Sequence, residues 1–152
     1  MLKKWFLLLI FILLWGSLAL AKEPVSIKAD HMEVLEKENK VIFTGHVVAQ
    51  KKDFTIYADK LVVFYHLVNG KREVKKIEAT GKVKIKRGEL IASAQKATYF
   101  RDKDILVLEG SPEVWQGDNT VRGSRIVIYL SEDRYVAESA PSERAEAILF
   151  VD

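Results

Sequence analysis

TIYADKLVVF, residues 55–64, returns with small changes three more times in the chain: SIKADHMEVL at 26–35, LIASAQKATYF at 90–100 and TVRGSRIVIYL at 120–130. Aligned on a central small residue (Ala29, Ala58, Ala94 and Gly123), the copies step by 29, 36 and 29 residues. A second phrase stands between them: VIFTGHVVAQ, IEATGKVKIK and LVLEGSPEVW, centred on Gly45, Gly81 and Gly110. From each of these glycines to the next central small residue is 13 residues every time. The seven extra residues of the long step fall in HLVNGKREV, where Asn69-Gly70 is a natural tight turn. Self-similarity at such a period marks an architecture of stacked units.

The alternation within the phrases identifies strands. Ile77, Ala79, Gly81, Val83 and Ile85 alternate with Glu78, Thr80, Lys82, Lys84 and Lys86, one dry face and one wet one. Val41, Phe43, Gly45, Val47 and Ala49 keep the same parity. The first phrase slips instead. Ile56 and Ala58 are followed by Leu61, Val63 and Tyr65, one residue out of phase, and all four copies slip at the same place. A one-residue shift turns every later side chain to the opposite face, so an unbroken flat strand cannot bury both halves. A bulge or corner can, because the extra residue bends the strand. The residues at the slip, Asp30, Asp59, Gln95 and Ser124, are polar and tolerate turns. Each unit therefore reads as a hairpin whose first strand crosses from one sheet to another. Four stacked units give an all-β fold: a twisted, jelly-roll-like β-sandwich with a shared apolar interior.

The 152 residues suffice for one domain. MLKKWFLLLIFILLWGSLALA has the anatomy of a helical signal peptide over 1–21, with cleavage after the Ala19-x-Ala21 site. The domain then occupies 22–152. The alternative is an uncleaved anchor, since the 17 residues Trp5 to Ala21 reach the lower limit for spanning a bilayer. Removing Lys3 and Lys4 from the 24 basic residues leaves 22 against 21 acidic ones, which offers no footprint for nucleic acid. The chain has no cysteine, so neither disulfides, a lipid-modified cysteine, thiolate metal sites nor a cysteine nucleophile is available.

The residues expected to face inward are Ile27, Met32, Val34, Phe43, Leu61, Val63, Tyr65, Val83, Ile85, Tyr99, Leu106, Leu108, Ile126, Ile128 and Leu130. They can be read as a closed core, or as the lining of a trough that stays accessible to a lipid. Small inward residues such as Ala58, Ala79, Ala94 and Ala97 thin the filling. A stack also has two end strands with unpaired backbone. Val25 and Ile27 open the first. Ile148, Leu149 and Phe150 sit in a β-prone terminal run that either adds head to tail to another copy or folds back as a cap.

Catalytic chemistry is not legible. His31, His46 and His66 have no metal-ligand spacing and are expected to be exposed; Asp30 and Asp59 recur with the repeat as corner residues. No phosphate loop or nucleophile elbow is present, and the chain is expected to need neither metal nor cofactor.

IKADHMEV with VIFTGHVVA, and IYADKLVVF with IEATGKVKI, resemble the OstA-like domain family, and within it the lipopolysaccharide-transport bridge proteins of the LptA type. The later copies depart at the acidic position, where Gln95 and Ser124 stand. The resemblance spans Val25 to Val136. It implies a periplasmic, twisted β-jellyroll whose interior shields the acyl chains of lipopolysaccharide (its lipid A). It also implies partners: other copies joined head to tail, and membrane-bound jellyroll components of the same pathway. The inward residues above, Leu106 apart, would then be the lipid-binding set. A membrane-anchored jellyroll partner of the LptC type, an outer-membrane assembly fragment, and a secreted structural β-repeat protein with a closed core remain alternatives.

Overall fold

In the computed structural model, residues 24–141 and 143–151 are described; the signal peptide expected over 1–21 and its Ala19-x-Ala21 site lie outside them. The described residues form twelve strands: β1 Ser26–Lys28, β2 His31–Leu35, β3 Lys40–Lys51, β4 Phe54–Val68, β5 Lys71–Arg87, β6 Leu90–Phe100, β7 Ile105–Glu109, β8 Glu113–Gln116, β9 Asn119–Arg122, β10 Arg125–Tyr129, β11 Arg134–Glu138 and β12 Glu146–Ile148. Every pairing between them is antiparallel. Two single 3-10 turns, Glu36–Glu38 and Leu130–Glu132, close the β2–β3 and β10–β11 hairpins, and each ends on a left-handed residue, Asn39 and Asp133.

These strands belong to one hydrogen-bonded sheet folded along a line of corners into two layers. The first layer runs β1-β3-β4-β5-β6-β8-β9-β12 and the second β2-β3-β4-β5-β6-β7-β10-β11. β3 to β6 pass through both layers; elsewhere the corner separates two short strands. The ladder shifts at the expected slip. Thr44 pairs with Lys60 and Val47 with Ala58, so Gly45 and His46 stand against the single residue Asp59. Gly81 and Lys82 do the same against Gln95.

The sequence placed this corner on the Ala-Asp strands alone. In the structure the glycine strands turn it too, through paired left-handed residues: Gly45 and His46 (φ 83° and 46°), Gly81 and Lys82 (82° and 47°), Gly110 and Ser111 (79° and 51°). Two left-handed residues advance the chain without changing which face its next side chain meets. That explains why the alternation across Gly45 and Gly81 looked unbroken. Glycine is needed for close approach as well as for φ. A Cβ on Gly45 would lie 2.6 Å from Asp30 Oδ2, and one on Gly81 2.5 Å from Asp59 Oδ2. The Asp30 N–H donates to the Gly45 carbonyl at 2.9 Å, and the Gln95 N–H to that of Gly110 at 3.1 Å. The fourth corner differs: Gly123 is not left-handed, and the Ser124 N–H and Oγ–H both donate to the Glu138 carbonyl at 2.9 Å.

The slip assigns the core as expected. Ile56 and Ala58 before the corner of β4, and Leu61, Val63 and Tyr65 after it, are all buried. Asn69-Gly70 turns β4 into β5 with both residues left-handed.

Candidate functional site: an apolar interior with a bare end

Three cross-strand rows line the space between the layers, and each is apolar from the first strand of its layer to the last. In the second layer Met32, Phe43, Leu61, Ala79, Ala97, Leu108, Ile126 and Ala137 stand side by side. Next to them run Val34, Val41, Val63, Ile77, Tyr99, Leu106, Ile128 and Tyr135. In the first layer the row is Ile27, Ala49, Ile56, Ile85, Ala92, Val114, Val121 and Ala147. Seven inter-strand steps of about 4.8 Å make each row roughly 34 Å long.

The middle of this interior is closed. Leu61, Ala92, Leu108 and Ile126 are 0% exposed, leaving no water-sized gap against them. Val83, Ile85, Phe43, Val63, Tyr65 and Ile128 are buried too. The trough expected to stay accessible along its length is shut here, because Ala49, Ala58, Ala79, Ala92, Ala94 and Ala97 let the layers come into contact. Tyr99, Leu130 and Ile27 are only partly buried and pack against the cluster from its margin.

At the β1–β2 end the interior is bare. Met32 and Val34 lie on the inner rows, opposite Phe43 and Val41, yet are 59% and 46% exposed. Sequence alternation counted them as core. They are inward-facing residues that the opposing layer leaves exposed. Val25 precedes β1 and is exposed. At the other end the terminal run resolves as a strand: β12 pairs with β9 through Ala147 and Val121. Leu149 and Phe150 continue beyond it, and the Phe150 N–H donates to Asn119 Oδ1 at 3.0 Å. Ile148, Leu149, Phe150 and Val151 are all exposed large apolar side chains.

Polar groups are sparse inside. The Tyr65 hydroxyl, on the same face of β4 as Leu61 and Val63, is buried without a hydrogen-bond partner among the described residues. The Tyr99 hydroxyl donates to Asp104 Oδ1 at 3.0 Å, and burial together with that carboxylate pushes its pKa up to about 12. Outside, His31, His46 and His66 are exposed, as the sequence suggested. His46 Nδ1 shares a 2.7 Å hydrogen bond with Asp30 Oδ2 across the first corner, and this bond, reinforced by the charge of Asp30, raises the imidazole above its ordinary value. Among the described residues no three His, Asp or Glu converge as a metal site would require.

Along the border away from the corners, no backbone hydrogen bond joins the two layers among the described residues. An exposed ion pair, Arg87 with Asp133 at 4.0 Å, crosses there. Such a pair contributes little. The layers are hinged on one side and held on the other by apolar contact.

A folded antiparallel sheet with continuous apolar rows inside and unpaired strands at both ends defines the class of β-jellyrolls built to cover apolar surface. A family profile described as "LptA/(LptD N-terminal domain) LPS transport protein" matches residues 26–134. The chain belongs to that family. It is 26% identical over 133 residues to the lipopolysaccharide export system protein LptA of Escherichia coli (strain K12), covering 84% of this chain and 71% of that one. An uncharacterised protein of Rhizobium meliloti (strain 1021) is 26% identical over 114 residues, and the match spans 71% of this chain but 61% of the relative's length. Among solved structures, LptH of Pseudomonas aeruginosa, described as the LptA-homologous periplasmic component of a lipopolysaccharide transport device, superposes with a TM-score of 0.76 at 17% identity. That likeness covers 85% of this chain and 96% of LptH and shows the shared fold.

Proposed function

We propose that this protein is a periplasmic bridge that carries lipopolysaccharide from the inner to the outer membrane, holding its acyl chains between the two layers and assembling head to tail. The observation that carries this reading is the continuity of the three apolar rows across every strand of each layer, ending in exposed Met32 and Val34. Each methylene kept from water stabilises by about 0.8 kcal/mol, so a multi-chain lipid needs such cover to cross an aqueous space. The buried, partnerless Tyr65 hydroxyl offers a hydrogen bond to an ester or amide carbonyl of the lipid. The chain holds no nucleotide motif, so the driving force comes from partners: membrane-bound jellyroll components of the same pathway. Strand addition at β1 or β2 of one copy and β12 or β11 of the next would continue both layers into the neighbour.

The closed middle supports one second reading, a structural β-repeat protein whose core never opens. Photo-crosslinking separates the two. A photoreactive residue at Val63 or Ile128 captures lipopolysaccharide, whereas one at outward Glu78 does not; equal capture at all three sites defeats the proposal. For assembly, Ala147→Pro in β12 abolishes self-association measured by light scattering while the monomer stays folded. Unchanged oligomers would show that β12 is not the joint.

A further inference from the structure

A second concavity lies on the outer face of the first layer, separated from the interior by the sheet itself. It is a groove of about 610 Å³ crossing β6, lined among others by Lys82, Lys84, Ile91, Ser93, Ser111 and Trp115. The register explains it. Outward Lys84, Ser93 and Glu113 stand in one row, and Lys86, Ile91 and Trp115 in the next, so small Ser93 sits in a trench between long neighbours. Just beyond Ser93 the partner of β6 changes from β8 to β7, and Gly110 and Ser111 form the end wall.

The charged side chains that line the groove are both cationic, and the Asp59 carboxylate stands against Gly81 beside Lys82. Lys82 and Lys84 are exposed, and neither has an ion-pair partner among the described residues. Among the described residues no carboxylate lines the groove itself. Glu113, the nearest acid in the row, turns away to Arg122 Nε at 2.9 Å. Lys86 is drawn over the Tyr57 ring at 5.7 Å. The half-buried Trp115 ring and Ile91 supply apolar surface, and Ser93, Gln95 and Ser111 supply hydroxyl and amide groups.

We propose that this groove binds an anionic saccharide, a sugar bearing phosphate or carboxylate, with its anion between Lys82 and Lys84 and its ring against Trp115. Two exposed ammonium groups without an ion-pair partner among the described residues, Lys82 at the corner and Lys84 beyond it, call for an anion. The indole suits the apolar face of a sugar ring, and the hydroxyl and amide groups suit its oxygens. The site is independent of the lipid interior, and lipid-free probes keep the two questions apart.

The test uses the uniformly ¹⁵N-labelled full chain, with the Trp115 indole resonance assigned by its loss in Trp115→Phe. Probes are glucosamine 6-phosphate, trigalacturonate, inorganic phosphate and neutral maltotriose. The anionic sugars should shift the Trp115 indole and the Lys84 and Ser93 amides, with inorganic phosphate and maltotriose at least about tenfold weaker. Lys82→Gln/Lys84→Gln and Trp115→Ala should each weaken binding about tenfold, while Lys71→Gln/Lys75→Gln, the same charge change in the other layer, leaves it unaltered. Trigalacturonate binding about tenfold tighter than the monosaccharide identifies a polymer as the source; equal affinities identify a free sugar. No shift up to about 10 mM, phosphate binding as well as its sugar, or equal loss in the Lys71/Lys75 variant overturns the proposal.

Discussion

The corner glycines offer the sharpest quantitative test. Gly81→Ala combines two penalties. Its φ of +82° is left-handed, which costs an L-residue about 1–2 kcal/mol. The new Cβ would also stand 2.5 Å from Asp59 Oδ2 and 2.8 Å from Asp59 Cβ, distances that force side chain or backbone to move. Overpacking of this kind costs about 1–3 kcal/mol. Together they predict a loss of about 2–5 kcal/mol, a large part of the roughly 5–15 kcal/mol that holds a typical domain folded. Gly88 is the internal control. Its φ is +59° but no atom lies within 4 Å of the place a methyl group would take, so Gly88→Ala should lose only the conformational part, about 1–2 kcal/mol. Urea unfolding followed by far-ultraviolet circular dichroism gives both values from midpoints at constant slope. Asp59→Gly removes the clashing atoms and should bring the effect of Gly81→Ala down to that of Gly88→Ala. If the two alanine variants are equally destabilised in the unaltered background, the close approach of Asp59 is not what demands glycine.

Burial and charge give two more predictions. Leu61, 0% exposed, should lose about 2–5 kcal/mol as Leu61→Ala, whereas Met32→Ala on the same inner row should change stability by less than about 0.5 kcal/mol; similar losses at both sites in urea unfolding would contradict the bare end. His46, raised above 6.5 by Asp30, contributes stability that is fully present below pH 6.5 and disappears as pH rises through its folded value. A proton NMR titration should place its midpoint above 6.5 and show it falling back in Asp30→Asn; a midpoint unmoved by that substitution refutes the pairing.

Much of this architecture could be read from the chain alone, and the reason is the repeat. One residue out of phase in four equivalent places cannot be noise, and the slip by itself assigns Ile56, Ala58, Leu61 and Val63 to a single interior. Alternation reports only which face a side chain takes. It does not report how well the facing layer covers a side chain, so Met32 and Val34 read like Phe43 although they are largely exposed. Alternation also missed Val107 and Val127, which face away from the interior yet are buried beside Thr98 on the outer surface of the second layer. The left-handed pairs at Gly45-His46 and Gly81-Lys82 were hidden because two such residues restore the phase that one would break. The groove beside Trp115 depends on cross-strand register between β5, β6 and β8, which no single strand displays.

A closed interior and a lipid-carrying one are compatible if opening costs little, and the composition of the rows bears on that cost. Parting the layers exposes apolar surface at about 25 cal/mol per Å², but an acyl chain entering between them covers the same surface again. What is exchanged is alanine-to-aliphatic contact for alanine-to-methylene contact, with nearly equal apolar area on both sides. The backbone ladder need not break, because β3 to β6 cross between layers only at the corners, where paired left-handed residues of β3 and β5 already form a bend. At the free border, among the described residues, apolar packing and the exposed Arg87–Asp133 pair resist. Entry is cheapest where half of the exchange is already complete, at Met32 and Val34, whose inner faces meet water in the closed form. A wedge advancing from that end displaces one cross-strand step at a time, about 4.8 Å, instead of opening the whole length at once. On this argument the alanines matter to closure as much as the large aliphatics: they let the layers meet closely enough to exclude water, and replacing Ala79 or Ala97 by leucine should prop the layers apart and leave the interior wet, read as increased binding of an apolar fluorescent dye.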